Sequence, residues 1–245
     1  MHTEGMAQLR EFRKDTIWLK EYPVRYAGTS FLSRMTIIRL NDETLFVHSP
    51  SEIDDGTRHA INALGHVSFI VAPGSYHSLH VRSAQEAFPD AETFICPGIE
   101  RKLPDLEFDG ILGDRPDPRW QEDFEQVLVR GNRLIWEVAF FHKPTQTLVL
   151  VDLIENITDD TEGTDLMLKF WWKWVFHMWN NPRPAPEYQI GWKDRRAASR
   201  SLRRIIKWDF EAIIIAHGDL IEANARQVAE KAWAKPLSWD SGSPG

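Results

Sequence analysis

A chain of 245 residues, 42% hydrophobic and 27% charged, is long enough to bury a sizeable core and has the composition of an ordinary globular protein. A formal net charge of -7 argues against nucleic acid as a partner, and a single cysteine, Cys96, excludes a disulfide framework or a thiolate zinc cluster. No apolar run approaches the ~20 residues that span a bilayer, and the polar start Met1-His-Thr-Glu-Gly-Met-Ala-Gln lacks the apolar centre of a secretion signal, so a cytoplasmic protein is expected.

In chain order, residues 1–16 are polar and read as a lead-in to one domain over 17–234. Met35–Leu40 and Thr44–His48 read as strands joined by hairpin chemistry at Asn41-Asp-Glu. Ser49-Pro50 ends the second strand, Asp54 or Asp55 caps a helix to about Leu64, and Gly65 closes it. Val67–Ala72 is an apolar run that reads as a fully buried strand, stopped by Pro73-Gly74. A helix with Ala84, Ala87 and Phe88 follows His80, then a short strand Thr93–Cys96, in which Cys96 is a small buried hydrophobe. Residues 100–120 read as loop, with a short strand at Gly110–Gly113. Phe124–Arg130, Leu134–His142 and Thr147–Val151 read as an antiparallel meander, the last two joined by a Lys143-Pro-Thr-Gln turn.

An acidic stretch, 155–165, reads as solvated loop and opens a helical insert of about 160–207. Leu166–Trp179 reads as one helix carrying four tryptophans, broken by Asn180-Asn-Pro-Arg-Pro-Ala-Pro. The expected setting of that helix is the core or the wall of a pocket. Contact with a membrane surface is the less favoured alternative, since Trp also suits lipid interfaces. Asp194–Lys207 reads as a basic helix whose Arg195, Arg196, Arg200, Arg203, Arg204 and Lys207 form a solvated face or grip an anion. A strand over Ala212–Ala216, a helix from about Leu220 to Ala234 and a fraying tail over 235–245 complete the chain.

Three of the buried strands finish on groups able to bind metal. Val67–Ala72 leads at once to Tyr76, His77 and His80, Thr147–Val151 leads to Asp152, and Ala212–Ala216 leads to His217. Beyond the carboxyl ends of strands is where α/β layer folds hold their ligands.

Strands and helices in this order suggest an α+β, αββα sandwich. At this point the chain resembles the metallo-β-lactamase superfamily and, more closely, its DUF4336 branch. The resemblance is carried by Leu45-Phe-Val-His-Ser-Pro50, Ile70-Val-Ala-Pro73 with His77, Phe88-Pro-Asp-Ala91, Cys96-Pro-Gly98 and Lys102-Leu-Pro-Asp-Leu106. It continues in Phe140-Phe-His-Lys-Pro144, Thr147-Leu-Val-Leu-Val-Asp-Leu153 and Ala216-His-Gly-Asp219. It implies a four-layer metallo-β-lactamase-like fold with a helical insert. The superfamily's His-x-His-x-Asp-His signature falls on Ala72, Gly74, Tyr76 and His77, and Glu137 stands near the third ligand of the first metal site. The resemblance therefore implies that the first site is lost. The resemblance places the second on His77, Asp152 and His217, with Tyr76 where relatives carry an aspartate.

Two His and one Asp with an open position suit a catalytic zinc, with iron or manganese as alternatives. The expected activity is hydrolysis of a small ester, thioester or lactone through hydroxide on a single ion, with Asp152 and Tyr76 as catalytic residues. The alternative is a metal-free member of the fold, binding a ligand or serving as a scaffold. Three further histidines are candidates for the site. His80 would share a helix face with His77, His48 ends a strand where relatives carry a supporting acid, and His142 sits at a hairpin tip. A small molecule is the expected partner, and the sequence leaves the oligomeric state open.

Overall fold

The computed structural model describes residues 9–240; the outer parts of the expected lead-in and tail, 1–8 and 241–245, lie outside the described residues. The chain forms two compact units. One contains residues 9–23 and 33–112, the other 24–32 and 113–240.

The first unit is organised on a seven-stranded sheet with spatial order β1 to β7 in sequence order. Its strands are β1 (Arg10–Arg13), β2 (Ile17–Tyr26), β3 (Thr29–Arg39), β4 (Leu45–His48), β5 (Val67–Ala72), β6 (Glu92–Ile95) and β7 (Gly110–Ile111). The tips of β2 and β3, residues 24–32, count with the second unit. The β1–β2 and β3–β4 pairs are antiparallel, whereas β4 to β7 run parallel through crossovers that carry the helices. Those helices are α1 (Asp55–Leu64), α2 (Val81–Ala87) and the single turn α3 (Ile99–Lys102). Every residue of β4 is buried, as is all of β5 except Ser68, which explains their near-continuous apolar sequence. Asp54 caps α1 by accepting the Thr57 N–H at 2.7 Å. Residues 10–13 were expected as lead-in. They form an edge strand instead, because Arg10 and Glu11 register against Leu19 and Trp18 of β2.

The second unit is built on a four-stranded sheet of order β11–β10–β9–β8. These strands are β8 (Phe124–Val129), β9 (Glu137–His142), β10 (Thr147–Val149) and β11 (Ala212–Ile214). β8, β9 and β10 form the expected antiparallel meander, and β11 adds parallel to β10. Around the sheet lie α4 (Leu166–Phe170), α5 (Pro186–Gly191), α6 (Arg195–Ile206), α7 (Ala225–Ala232) and α8 (Ala234–Leu237). One core joins Val127, Ile135, Leu148, Ile213, Leu202 and Trp233. A second, smaller cluster joins Phe31, Ile157, Leu168, Trp172 and Met178.

Several elements differ from the sequence reading. The tryptophan-rich helix is shorter than expected: α4 passes into a π-helical turn, Trp171–Val175, and the chain leaves helix before Trp179. A helix, α5, forms within the proline-rich breaker because Pro186 occupies its first turn, where its missing N–H costs nothing. α7 starts at Ala225 rather than near Leu220, since Ile221 is bridged to Ile213 instead. The start of the expected tail is docked, not frayed. Leu237 O accepts from Ser199 Oγ and Arg203, and the Trp239 ring lies 5.9 Å from Trp192. The basic face of α6 is partly structural, because Arg204 and Arg130 both bind Asp114.

Candidate metal centre

In the first unit, the carboxyl ends of β4 and β5 bring His48, Ser49 and His77 together. Ser49 takes a positive φ of 53°, which turns the chain sharply after His48. Its Oγ lies 2.7 Å from His77 Nδ1. His77 is buried, and its own N–H is held by Gly74 O at 3.0 Å. A histidine fixed through one ring nitrogen presents the other for coordination. His48 is also buried, and burial, then the neighbouring His77, push its imidazole down to about 3. It is a neutral neighbour of His77.

Two other candidates of this unit stand apart. His80 stands at the N-cap position of α2 without a side-chain capping bond, its ring edge-on to Tyr22 at 5.4 Å, and burial lowers its pKa against the opposing pull of Glu52. Tyr76 is 42% exposed, with the Lys102 ammonium 4.1 Å above its ring; Lys102 also donates to Ser75 O.

In the second unit, Asp152 follows β10 and His217 follows β11, so the parallel pairing of these strands sets the two side by side. Asp152 Oδ1 lies 3.5 Å from His217 Nε2, with side-chain exposures of 7% and 9%. His217 Nδ1 lies 3.2 Å from Leu32 O. A carbonyl can only accept, so Nδ1 carries the proton. Gly218 closes this corner at φ 93°, and a Cβ there would lie 2.1 Å from Asn156 O.

Two buried acids frame the pair. Glu137, fully buried, accepts the Val151, Asp152 and Leu153 N–H groups at 2.7, 2.8 and 2.9 Å. Burial, followed by repulsion from Asp152, raises its pKa well above the usual carboxyl range, and the three amides pull the other way. Glu155, expected in solvated loop, is buried instead. Its carboxylate accepts the Trp172 indole N–H at 3.0 Å, and its backbone bridges to Arg183. Burial is the main cause that pushes Glu155 up to about 8, with Asp152 adding to it and His217 opposing. Glu155 was hidden from sequence reasoning by its acidic neighbours; Ile154 and Ile157 beside it, both buried, were the only hint.

His142 is not part of this group. It ends β9, where its partners are Phe124 and Thr147 at the start of β10, whereas Asp152 follows the end of β10. Its Nδ1 bonds Thr145 Oγ1 at 2.8 Å and burial lowers its pKa to about 4. It holds the hairpin turn.

Comparison with solved structures identifies the fold. The metallo-β-lactamase DIM-1, exposed to ceftazidime, matches with a TM-score of 0.64 at 13% identity, over 92% of this chain and 95% of that one. The Erythrobacter litoralis metallo-β-lactamase gives 0.65 at 12% identity over 96% and 97%. FIM-1 from Pseudomonas aeruginosa, in its mono-zinc form, gives 0.63 at 10% identity over 97% and 96%. The chain therefore has the metallo-β-lactamase fold, a mixed α+β architecture of two sheets and helices. No curated protein matches it. The family model described as "Domain of unknown function (DUF4336)" matches residues 14–166, well over half of the chain. By that match the protein belongs to the DUF4336 family.

Proposed function

We propose that the protein is a metal-dependent hydrolase in which His77, Asp152 and His217 hold one divalent cation, zinc first and iron or manganese as alternatives, and that its substrate is a small ester, thioester or lactone. The observation that carries this reading is the contact between Asp152 and His217. With Nδ1 directed at the Leu32 carbonyl, His217 turns Nε2 toward a buried carboxylate oxygen 3.5 Å away. A ring nitrogen and a carboxylate oxygen this close out of water need a cation or a proton between them. A divalent ion meets that need, and two imidazoles with one carboxylate are a donor set that suits it. The fold supports the same reading, since a relative of this architecture is described in a mono-zinc form.

When bound, such an ion lowers the pKa of a water to about 7 and so supplies a nucleophile at neutral pH. The residues of this chain provide the rest. Ser49 holds the His77 ring, the Leu32 carbonyl holds His217, and Glu137 fixes the backbone on which Asp152 sits. Without a cation, burial holds the Glu155 carboxyl up to about 8, which limits the negative charge around Asp152 near pH 7. The phenol of Tyr76 is a hydrogen-bond donor that would serve the departing oxygen or sulfur of the substrate.

Elemental analysis of protein purified without chelator tests the proposal. The expected result is close to one ion per chain, lost in His217→Ala and kept in His142→Ala. Tyr76→Phe is expected to lower turnover on a panel of esters, thioesters and lactones with metal content unchanged. Wild-type protein that takes up no zinc, iron or manganese on dialysis overturns the reading. The Asp152–His217 contact is then an ion pair, and the protein is a metal-free member of the fold.

A further inference from the structure

The face of α4 and its π turn that points to solvent is apolar. Leu166, Met167, Phe170, Trp171, Trp174 and Val175 are 86, 51, 53, 38, 66 and 44% exposed. They recur in pairs every four residues. In a regular α-helix a four-residue step overshoots a full turn by about 40°, since 3.6 residues complete it. The π turn, closed by the Phe176 N–H to Trp171 O bond at 2.9 Å, needs more residues per revolution and undoes that drift. The stripe is thereby kept straight. The opposite face is ordinary core, with Leu168 and Trp172 buried against Phe31, Ile157 and Met178. The outward stripe is therefore not displaced core, since the helix has its core face already.

Side chains of Phe and Trp cover ~150–250 Å² each, so the three exposed aromatics alone put on the order of 300 Å² of apolar surface into water. With Leu166, Met167 and Val175 the patch passes what a monomer ordinarily shows without a binding role. Its polar groups indicate what it meets. In a chain of net charge -7, residues 166–181 contain two lysines and no acid. Lys169 pairs with Asp159 at 3.6 Å, from the loop before the helix. Lys173 is exposed and its ammonium lies 5.9 Å from the Trp174 ring, with no carboxylate partner among the described residues. The tryptophans divide the same way. Trp172 and Trp179 donate their indole N–H groups to Glu155 and Asp159, while those of Trp171 and Trp174 have no protein acceptor among the described residues.

We propose that this face is a docking surface for a phospholipid bilayer. Leu, Met, Phe and Trp side chains would enter the acyl boundary, the two free indole N–H groups would bond ester carbonyls, and Lys173 would meet headgroup phosphate. A second copy of the chain answers this chemistry less well. A two-fold contact sets a patch against itself, which brings the two copies of Lys173 together with no acid from residues 166–181 to neutralise them. No helix among the described residues is long and apolar enough to cross a membrane, so the contact is peripheral.

Flotation of the full-length protein with vesicles is the test, using phosphatidylcholine alone and an equal mixture with phosphatidylglycerol. Wild type is expected to float with both, more with the mixture and less at high salt. Phe170→Ser/Trp174→Ser is expected to lower partitioning by tenfold or more, as the loss of two inserted aromatics implies. Both substituted residues are exposed, so the variant should keep the wild-type melting temperature, and a matching melt establishes that it is folded. Lys173→Glu, which reverses one charge on the apolar face, is expected to weaken binding to the mixture more than to phosphatidylcholine. A wild-type protein that does not float overturns the proposal. If sedimentation then shows a dimer that Phe170→Ser/Trp174→Ser dissociates, a second copy covers the face; if it shows a monomer, the stripe docks on neither.

Discussion

Glu155→Gln isolates the cost of burying an acid beside Asp152. The carboxyl moves from the usual 4.5 to about 8 on folding, chiefly through burial. Between those values the folded chain keeps the proton and the unfolded chain releases it, so stability falls as pH rises through this window. Each pH unit costs about 1.4 kcal/mol, so between pH 5 and pH 7 wild type loses roughly 2–3 kcal/mol from this group alone. Glutamine does not titrate, and its carbonyl can still accept the Trp172 indole N–H. Urea denaturation of both proteins at several pH values, with chelator present so that no cation offsets the acid, gives the difference directly. Glu155→Gln should gain on wild type by about 1.4 kcal/mol per unit over that range. Parallel stability curves would show that Glu155 is ionised in the folded protein, and the account of the charge around Asp152 would fail.

Other expectations follow from the same geometry. Glu137→Ala leaves three buried N–H groups without an acceptor, at ~1–3 kcal/mol each, so a melt should show a loss of at least about 3 kcal/mol, and Glu137→Gln a smaller one. His142 has its pKa lowered to about 4, so stability from this group is full above the unfolded value near 6.5 and is lost as pH falls toward 4. His142→Gln should remove up to about 3 kcal/mol of that acid dependence, read from denaturation between pH 4 and 7. Gly218→Ala meets both a positive φ and the Asn156 carbonyl, so a destabilisation of more than about 2 kcal/mol is expected by urea titration.

Where periodicity and punctuation agreed, the sequence was readable in detail. Val67–Ala72 has the same bounds as read and as observed because an unbroken apolar run, flanked by Gly65 and Pro73, leaves a buried parallel strand no competitor. Asp54 and Gly65 mark α1 for similar reasons. The resemblance singled out Asp152 and His217, and the structure sets both beyond the ends of neighbouring parallel strands. What stayed hidden depended on partners distant in sequence. Leu166–Trp179 looked like one helix because its apolar content is continuous, but the bonds of the Met178 and Trp179 N–H groups back to Trp172 O end it early. Its outward stripe was invisible too, since composition cannot say which of two apolar faces finds a core. Arg10–Arg13 carries no strand pattern of its own and is a strand only through β2. Glu155 looks solvated until Trp172 is brought to it from 17 residues away.

The grip of Glu137 on three successive amides bears on any attempt to place a metal-binding histidine at that position. A histidine there would offer one neutral nitrogen where two carboxylate oxygens now gather the 151–153 backbone. The segment carrying Asp152 would come loose in the same step that built the new centre. Such a variant therefore requires redesign of the 151–153 turn as well as the substitution itself.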